Sequence, residues 1–280
     1  MAGVRIVTDS ACDLPQDVVD RHGIAIVPLT IRFGDEELVD RIELSVSDFY
    51  KRMAASSELP QTAAPSPGAF EEAFTRVADD GADAVVCVNL SSKLSATMAS
   101  AQNAATALEG KVDVRVVDSR SITSGLGTQV VLAAEAAADG RSADDIVALV
   151  NDLSTRTHVF GALDTLENLK KGGRIGNAQA LLGTMLSIKP LVDISSGEVE
   201  EAGKQRTRRK AMHWLRDTIA AQGPVERLCI AHGDAPDVDE FKKVLAEKID
   251  ITGATDSFIG ATIGTHGGPR ILGLSWLEPA

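Results

Sequence analysis

Residues 84–97 read AVVCVNLSSKLSAT. Ala84 to Leu90 is an almost continuous apolar run of strand length, the composition of a strand buried on both faces in a parallel sheet. Ser91 to Thr97 is a polar loop, and the small-residue stretch Met98 to Leu108 that follows predicts a helix. Strand, polar loop and helix in that order form the unit of a doubly wound α/β domain. Ligands of such domains bind beyond the carboxyl ends of the strands, which is where the serines and threonines of this loop fall.

The same rhythm runs outward in both directions. Val4 to Val7 predicts a strand ending in Thr8-Asp9-Ser10, followed by a helix over Leu14 to His22 with Asp13 as its N-cap and Gly23 as its stop. Ile24 to Leu29 is the next strand, and Ser47 to Met53 and Ser66 to Ala78 are helices. Val112 to Val117 is a strand ending in Asp118-Ser119, followed by helices over Leu126 to Ala138 and Ala143 to Leu153. This alternation predicts an N-terminal α/β domain over residues 1–155 with a mostly parallel sheet. Its three polar loops gather at one sheet edge.

Residues 156–280 predict a second α/β domain of different texture. A helix is expected over Leu163 to Leu169, then the basic glycine-rich turn Lys170 to Arg174, then a short apolar helix over Ala178 to Met185. Ile188 to Ile194 reads as a strand turning through Ser195-Ser196-Gly197 into Val199. Helices over Thr207 to Gln222 and Asp237 to Leu245 alternate with strands over Arg227 to His232 and Asp256 to Ile263.

Composition narrows the function classes. The net charge of −12 repels phosphate backbones and anionic membrane surfaces, and aromatics at 4% leave little for base stacking. Nucleic acid and stable membrane insertion are therefore not expected. Cys12, Cys87 and Cys229 are odd in number and without CxxC spacing, so a disulfide framework or zinc site is not expected and a reducing cytoplasm fits. The histidines have no metal-ligand spacing, so no metal is expected. There is no GxSxG elbow, Walker A loop, HExxH or dinucleotide fingerprint.

Three places could carry chemistry. Ser91, Ser92, Ser95 and Thr97 precede a helix, whose free N–H groups and positive dipole end favour a phosphate or carboxylate. The plainer alternative is that Ser92 or Ser95 only caps that helix. His266, in Ile263-Gly264-Thr265-His266-Gly267-Gly268-Pro269, could donate to an anion from a backbone-lined pocket, or be incidental to a glycine turn. Thr62, in Leu59-Pro60-Gln61-Thr62-Ala63-Ala64-Pro65-Ser66, is by itself a loop threonine.

Taken in order, these stretches resemble the DegV family, whose fatty-acid-kinase members are called FakB. The resemblance covers essentially the whole chain. It rests on Thr8-Asp9-Ser10, on Pro60 to Ser66 for a PxTSxPS motif, and on Ser91 to Thr97 for SSxLSGT. Val117-Asp118-Ser119, Leu166 to Ile175, Ser187-Ile188-Lys189-Pro190 and Gly264-Thr265-His266 extend it. It implies two α/β domains with a long-chain fatty acid between them, no further cofactor, and no catalysis by the chain itself. A partner ATP-dependent fatty acid kinase phosphorylates the presented carboxylate. By matched position Thr62, Ser95 and His266 become carboxylate ligands, with Ser92 and Thr97 as neighbours, and Arg174 and Arg206 lie at the pocket mouth or kinase contact.

Physical chemistry agrees with that assignment. A carboxylate in an apolar pocket must be hydrogen-bonded or it takes up a proton. A tail of 16 carbons gains roughly 10 kcal/mol from burial before ordering costs. Leu163, Leu166, Leu181, Leu182, Met185 and Leu186 could wall its tunnel, although core packing is the commoner role of such residues. The chain departs from the family pattern in Ala63 and Ala64, which remove a possible donor, in Ala96, and in Gly268-Pro269-Arg270, which puts a charge beside the His266 turn. Two rival functions are a stand-alone small-molecule kinase or transferase and a regulatory lipid-binding protein. Against the first stand the missing phosphate-cradling loop and the missing aspartate cluster for magnesium.

Overall fold

A computed structural model describes residues 3–181 and 188–280. In chain order its first strands are β1 (Val4–Asp9), β2 (Ala25–Val27), β3 (Thr30–Phe33), β4 (Glu36–Val39), β5 (Gln61–Ala63), β6 (Ala84–Asn89) and β7 (Val114–Asp118). Then come β8 (Thr157–Ala162), β9 (Lys189–Asp193), β10 (Glu200–Gln205), β11 (Glu226–His232), β12 (Thr255–Phe258) and β13 (Leu272–Leu277). The protein has the expected α/β class.

A parallel sheet in the order β2-β1-β6-β7 forms the first layer. Its central strand β6 is buried at every position. Val86 and Val88 pack with Leu126, Val130 and Ile146 on one face, and Val85 and Cys87 pack with Phe70, Phe74 and Ala101 on the other. Two-sided burial is why this strand shows no polar alternation. The helices Thr123–Ala138 and Ala143–Arg156 cover the first face, and Pro67–Asp79 and Thr97–Ala107 the second.

The second layer is a mixed sheet in the order β10-β9-β8-β13-β11-β12. Its middle strands β8 and β13, paired antiparallel, are not among the elements expected from the sequence. Strand β8 mixes polar residues with Gly161, and β13 (LGLSWL) has glycine and serine in a fully buried run. Tertiary pairing overrides local propensity there. The expected helix over Leu163 to Leu169 is instead the shorter Glu167–Lys171, which leaves Leu163 in a connecting segment. The expected strand over Asp256 to Ile263 ends at Phe258, and Ala261–Gly267 is helical. The first expected helix begins at Gln16, because Asp13 is in the left-handed region.

A third small sheet, β4-β3-β5, occupies a stretch in which no strands were expected. Ile31 and Leu44 bury it against Phe49, Tyr50 and Ala261. Antiparallel pairing of Ile31 with Thr62 therefore carries Thr62 to the helix that holds His266. The expected helix over Ala178 to Met185 is a 3-10 turn at Gly176–Leu181 as far as it is described. Leu182, Met185 and Leu186 lie outside the described residues, as does the side chain of Leu181. No described helix is long and apolar enough to cross a membrane.

Candidate functional site

The carboxyl ends of the parallel strands converge as Thr8-Asp9-Ser10, Leu90-Ser91 and Asp118-Ser119. Asp9 ties the first two together: its carboxylate accepts from Leu90 N at 2.8 Å, Asn89 Nδ2 at 3.1 Å and Ala11 N at 3.1 Å. Burial pushes its pKa up to about 6. Ser91 Oγ donates to Gly197 O at 2.6 Å, which fastens this edge to the turn between β9 and β10. Asp40 accepts from Ser10 Oγ at 2.7 Å and Thr262 Oγ1 at 3.1 Å, linking the same edge to the helix Ala261–Gly267.

Between the two large sheets lies a narrow cavity. Its wall is mostly apolar and includes Leu29, Leu90, Leu163, Val192, Ile263 and Ile271. Thr62, Ser95, His266 and Arg174 also line it, although they come from four separate stretches of chain. Thr62, His266 and Arg174 line an outer, more polar pocket as well, together with Lys171, so these residues stand at the mouth.

Thr62 Oγ1 and His266 Nε2 are 3.0 Å apart. Burial, with a smaller contribution from the Arg174 cation, lowers the His266 pKa to about 4. At neutral pH the ring is therefore uncharged and offers one N–H. His266 Nδ1 is buried with no hydrogen-bond partner among the described residues. Gly172 backs it, and a Cβ at that position would come within 2.3 Å of Nδ1. Close approach to the imidazole, not a turn conformation, explains this glycine of the Lys170 to Arg174 segment. Arg174 spans the mouth by donating from Nε to Leu94 O at 3.2 Å and from a guanidinium nitrogen to Gly172 O at 2.7 Å.

Ser95 Oγ is 2.9 Å from Thr97 Oγ1 and accepts from Thr97 N at 3.3 Å. When Thr97 donates its hydroxyl proton to Ser95, the Ser95 proton is free for a ligand. Thr97 is buried behind Ser95 and does not line the cavity. Ser92 does not line it either: it is exposed, and its hydroxyl donates to Asp118. Arg206 is exposed at the end of β10, away from the cavity wall. Leu166 is buried in the adjoining core, whereas Leu163 and Leu169 face the cavity. Arg270 is turned towards Asp164, at 3.6 Å, and is not part of the cavity wall.

The structure adds residues that sequence reasoning did not single out, notably Gly161, Thr123, Ser124 and Thr262. Thr123 follows the Asp118-Ser119 loop, and this adjacency is the one sequence signal pointing to it. Among the described residues no group of His, Cys, Asp and Glu could hold a metal ion.

The family model described as "Uncharacterised protein, DegV family" matches residues 3–279. The chain belongs to the DegV family. A DegV domain-containing protein of Streptomyces coelicolor is 38% identical over 278 residues, covering 97% of each chain. The fold of a Thermus thermophilus DegV-family protein, described by its fatty acid binding, matches with a TM-score of 0.90 at 33% identity, covering 99% of this chain and 100% of that one. DegV of Bacillus subtilis, described as a fatty acid binding protein, matches at 0.87 and 28% identity over the full length of both chains.

Proposed function

We propose that this DegV-family protein binds one long-chain fatty acid and presents its carboxylate to a partner ATP-dependent fatty acid kinase, which makes the acyl phosphate. The observation that carries the reading is a single apolar cavity with Thr62, Ser95 and His266 gathered on its wall. The tail occupies the cavity, the hydroxyls of Thr62 and Ser95 donate to the carboxylate, and His266 supports them by donating its N–H to Thr62 Oγ1, which leaves the Thr62 proton for the ligand. A neutral imidazole and short hydroxyls satisfy the anion without a buried countercharge, while Arg174 at the mouth favours the ionised form. The chain itself does not turn over ATP in this reading. It acts in the cytoplasm, with its cysteines unpaired and buried. Its domains are residues 1–155 and 156–280, a division supported by the change from parallel to mixed sheet pairing after the helix Ala143–Arg156.

Native mass spectrometry of the purified protein tests the binding half. One acyl chain per protein, exchangeable for added palmitate or oleate, is the expected result; an apo protein that takes up neither rejects it. Acyl phosphate should form only when a cognate kinase is added. ATP turnover by the protein alone, lost in Thr62→Val, would instead support the stand-alone kinase.

A further inference from the structure

The helix Ala261–Gly267 carries His266 but cannot orient it unaided. Its sequence, ATIGTHG, holds two glycines, two threonines and an isoleucine in seven residues. Glycine and β-branched residues are poor helix formers, and a helix this short does not persist without packing. Its placement therefore comes from side chains of other elements. At its start, Tyr50 Oη donates to Ile259 O at 3.0 Å and Thr262 Oγ1 donates to Asp40 at 3.1 Å. At its end, where the last carbonyls of a helix lack intrahelical partners, Asn168 Nδ2 donates to Thr265 O at 3.2 Å. That carbonyl belongs to the same planar peptide as the His266 N–H, so the bond fixes the root of the imidazole.

Asn168 also reaches the other side of the ring. It lies in the short helix Glu167–Lys171, and its backbone carbonyl accepts from Gly172 N at 2.8 Å. Gly172 backs His266 Nδ1, and its own carbonyl accepts from Arg174. A Cβ at Gly268 would meet the Asn168 amide at 3.4 Å, so the two segments pack closely. The imidazole is thus wedged between Gly172 and Thr62. Nδ1 is buried without a partner, whereas Nε2 has Thr62 Oγ1 at 3.0 Å. A buried N–H without an acceptor is costly, so the wedge keeps the proton on Nε2, the tautomer that donates to Thr62.

We propose that Asn168 is a positioning residue for the carboxylate site. By clamping Thr265 O it holds the helix of His266 against residues 172–174. The Nε2 proton then stays aimed at Thr62, and the Thr62 proton stays free for the ligand. Asn168 itself does not line the cavity. The inference rests on the fatty-acid reading above for what the site binds, but not for the placement of the ring.

The test uses Asn168→Leu, which keeps the branching of the side chain and removes its donor, with Asn168→Ala as a second variant. NMR of the histidine ring nitrogens in lipid-free protein, assigned with His266→Gln, should show a single Nε2–H tautomer in wild type and exchange between tautomers in both variants. Palmitate should bind each variant about fivefold more weakly, the scale of one lost hydrogen bond, and hexadecanol within about twofold of wild type. A bond that only caps the helix would lower the melting temperature and leave the tautomer and both affinities unchanged, and that result overturns the inference. Equal weakening of palmitate and hexadecanol does so too, because it reports a damaged cavity. Failure of wild type to bind palmitate sinks the fatty-acid reading instead, while a tautomer change in the variants would still uphold the placement of His266 by Asn168.

Discussion

The two polar ends of the cavity suppress charge in opposite ways. At the mouth, burial holds the His266 pKa down to about 4, so a base stays uncharged. At the inner wall, burial pushes the Asp13 pKa up to about 7, so an acid keeps much of its proton. Arg174 stands at the mouth and acts on the imidazole through its field, whereas the acids Asp13 and Asp40 lie behind the inner wall. A carboxylate is thus favoured at one end only, where neutral donors and an external cation meet it. The inner end disfavours an anion, and between the two the wall is apolar. Burial penalises either sign of charge at both places, and the preference for an anion at the mouth comes from the neighbours, the Arg174 cation there and the Asp40 carboxyl behind the inner wall.

The middle gives the largest test of that comparison. Gly161 lines the cavity, and a Cβ there would meet Val192 Cγ2 at 3.4 Å, an ordinary contact. Gly161→Leu should fill the tunnel and weaken stearate by a hundredfold or more while sparing octanoate. A calorimetric titration with both acids checks this. Equal retention of stearate by a variant with a normal melting temperature would place the tail elsewhere.

At the mouth, His266→Ala and Thr62→Val each break the hydrogen-bonded pair that offers a donor to a buried charge, a loss of about 1–3 kcal/mol. Palmitate should bind about 5- to 150-fold more weakly, hexadecanol should be unaffected, and kinase-dependent phosphorylation of the lipid still bound should fall further, because the carboxylate is no longer held for attack. Ser95→Ala sets this against a local role, since Ser95 also accepts from Thr97 N. A carboxylate ligand predicts about fivefold weaker palmitate at an unchanged melting temperature. A cap predicts a lower melting temperature and unchanged affinity.

Much of the parallel layer was readable from sequence because β6 is buried on both faces and its apolar run reports that directly. The two middle strands of the mixed sheet were not, because β8 and β13 hold their places by pairing with each other and carry glycine, serine and histidine in otherwise apolar runs. The β3–β5 sheet escaped for a related reason: three short strands are stabilised by Phe49, Tyr50 and the helix of His266, all distant in sequence. Thr62, Ser95 and His266 entered through matched motifs, and their meeting depends on those unread strands. Ser92 shows the limit of a motif. It stands in the same serine loop as Ser95, but the backbone turns its hydroxyl to Asp118. Thr123 had no composition signal, since its distinguishing features are a positive φ and a place on the cavity wall.

The smallest expected effect is the pH dependence of stability, and it separates the two ends by sign. His266 titrates near 4 when folded and near 6.5 when free, so between these values the unfolded chain binds more protons and stability falls as the pH drops. Asp13 titrates near 7 when folded and near 3.8 when free, so there the folded chain binds more protons and stability falls as the pH rises. Replacing either group by a neutral amide removes its slope. Relative to wild type, His266→Gln should therefore gain melting temperature at pH 5 over its value at pH 8, and Asp13→Asn should gain at pH 8 over its value at pH 5. With each kcal/mol equivalent to about 2–4 °C in a chain of this size class, shifts of a few degrees are expected. Thermal melts of lipid-free protein at the two pH values measure both slopes. If the two variants run parallel to wild type, burial does not hold these two groups uncharged, and the orientation of the acyl chain must come from the mouth donors alone.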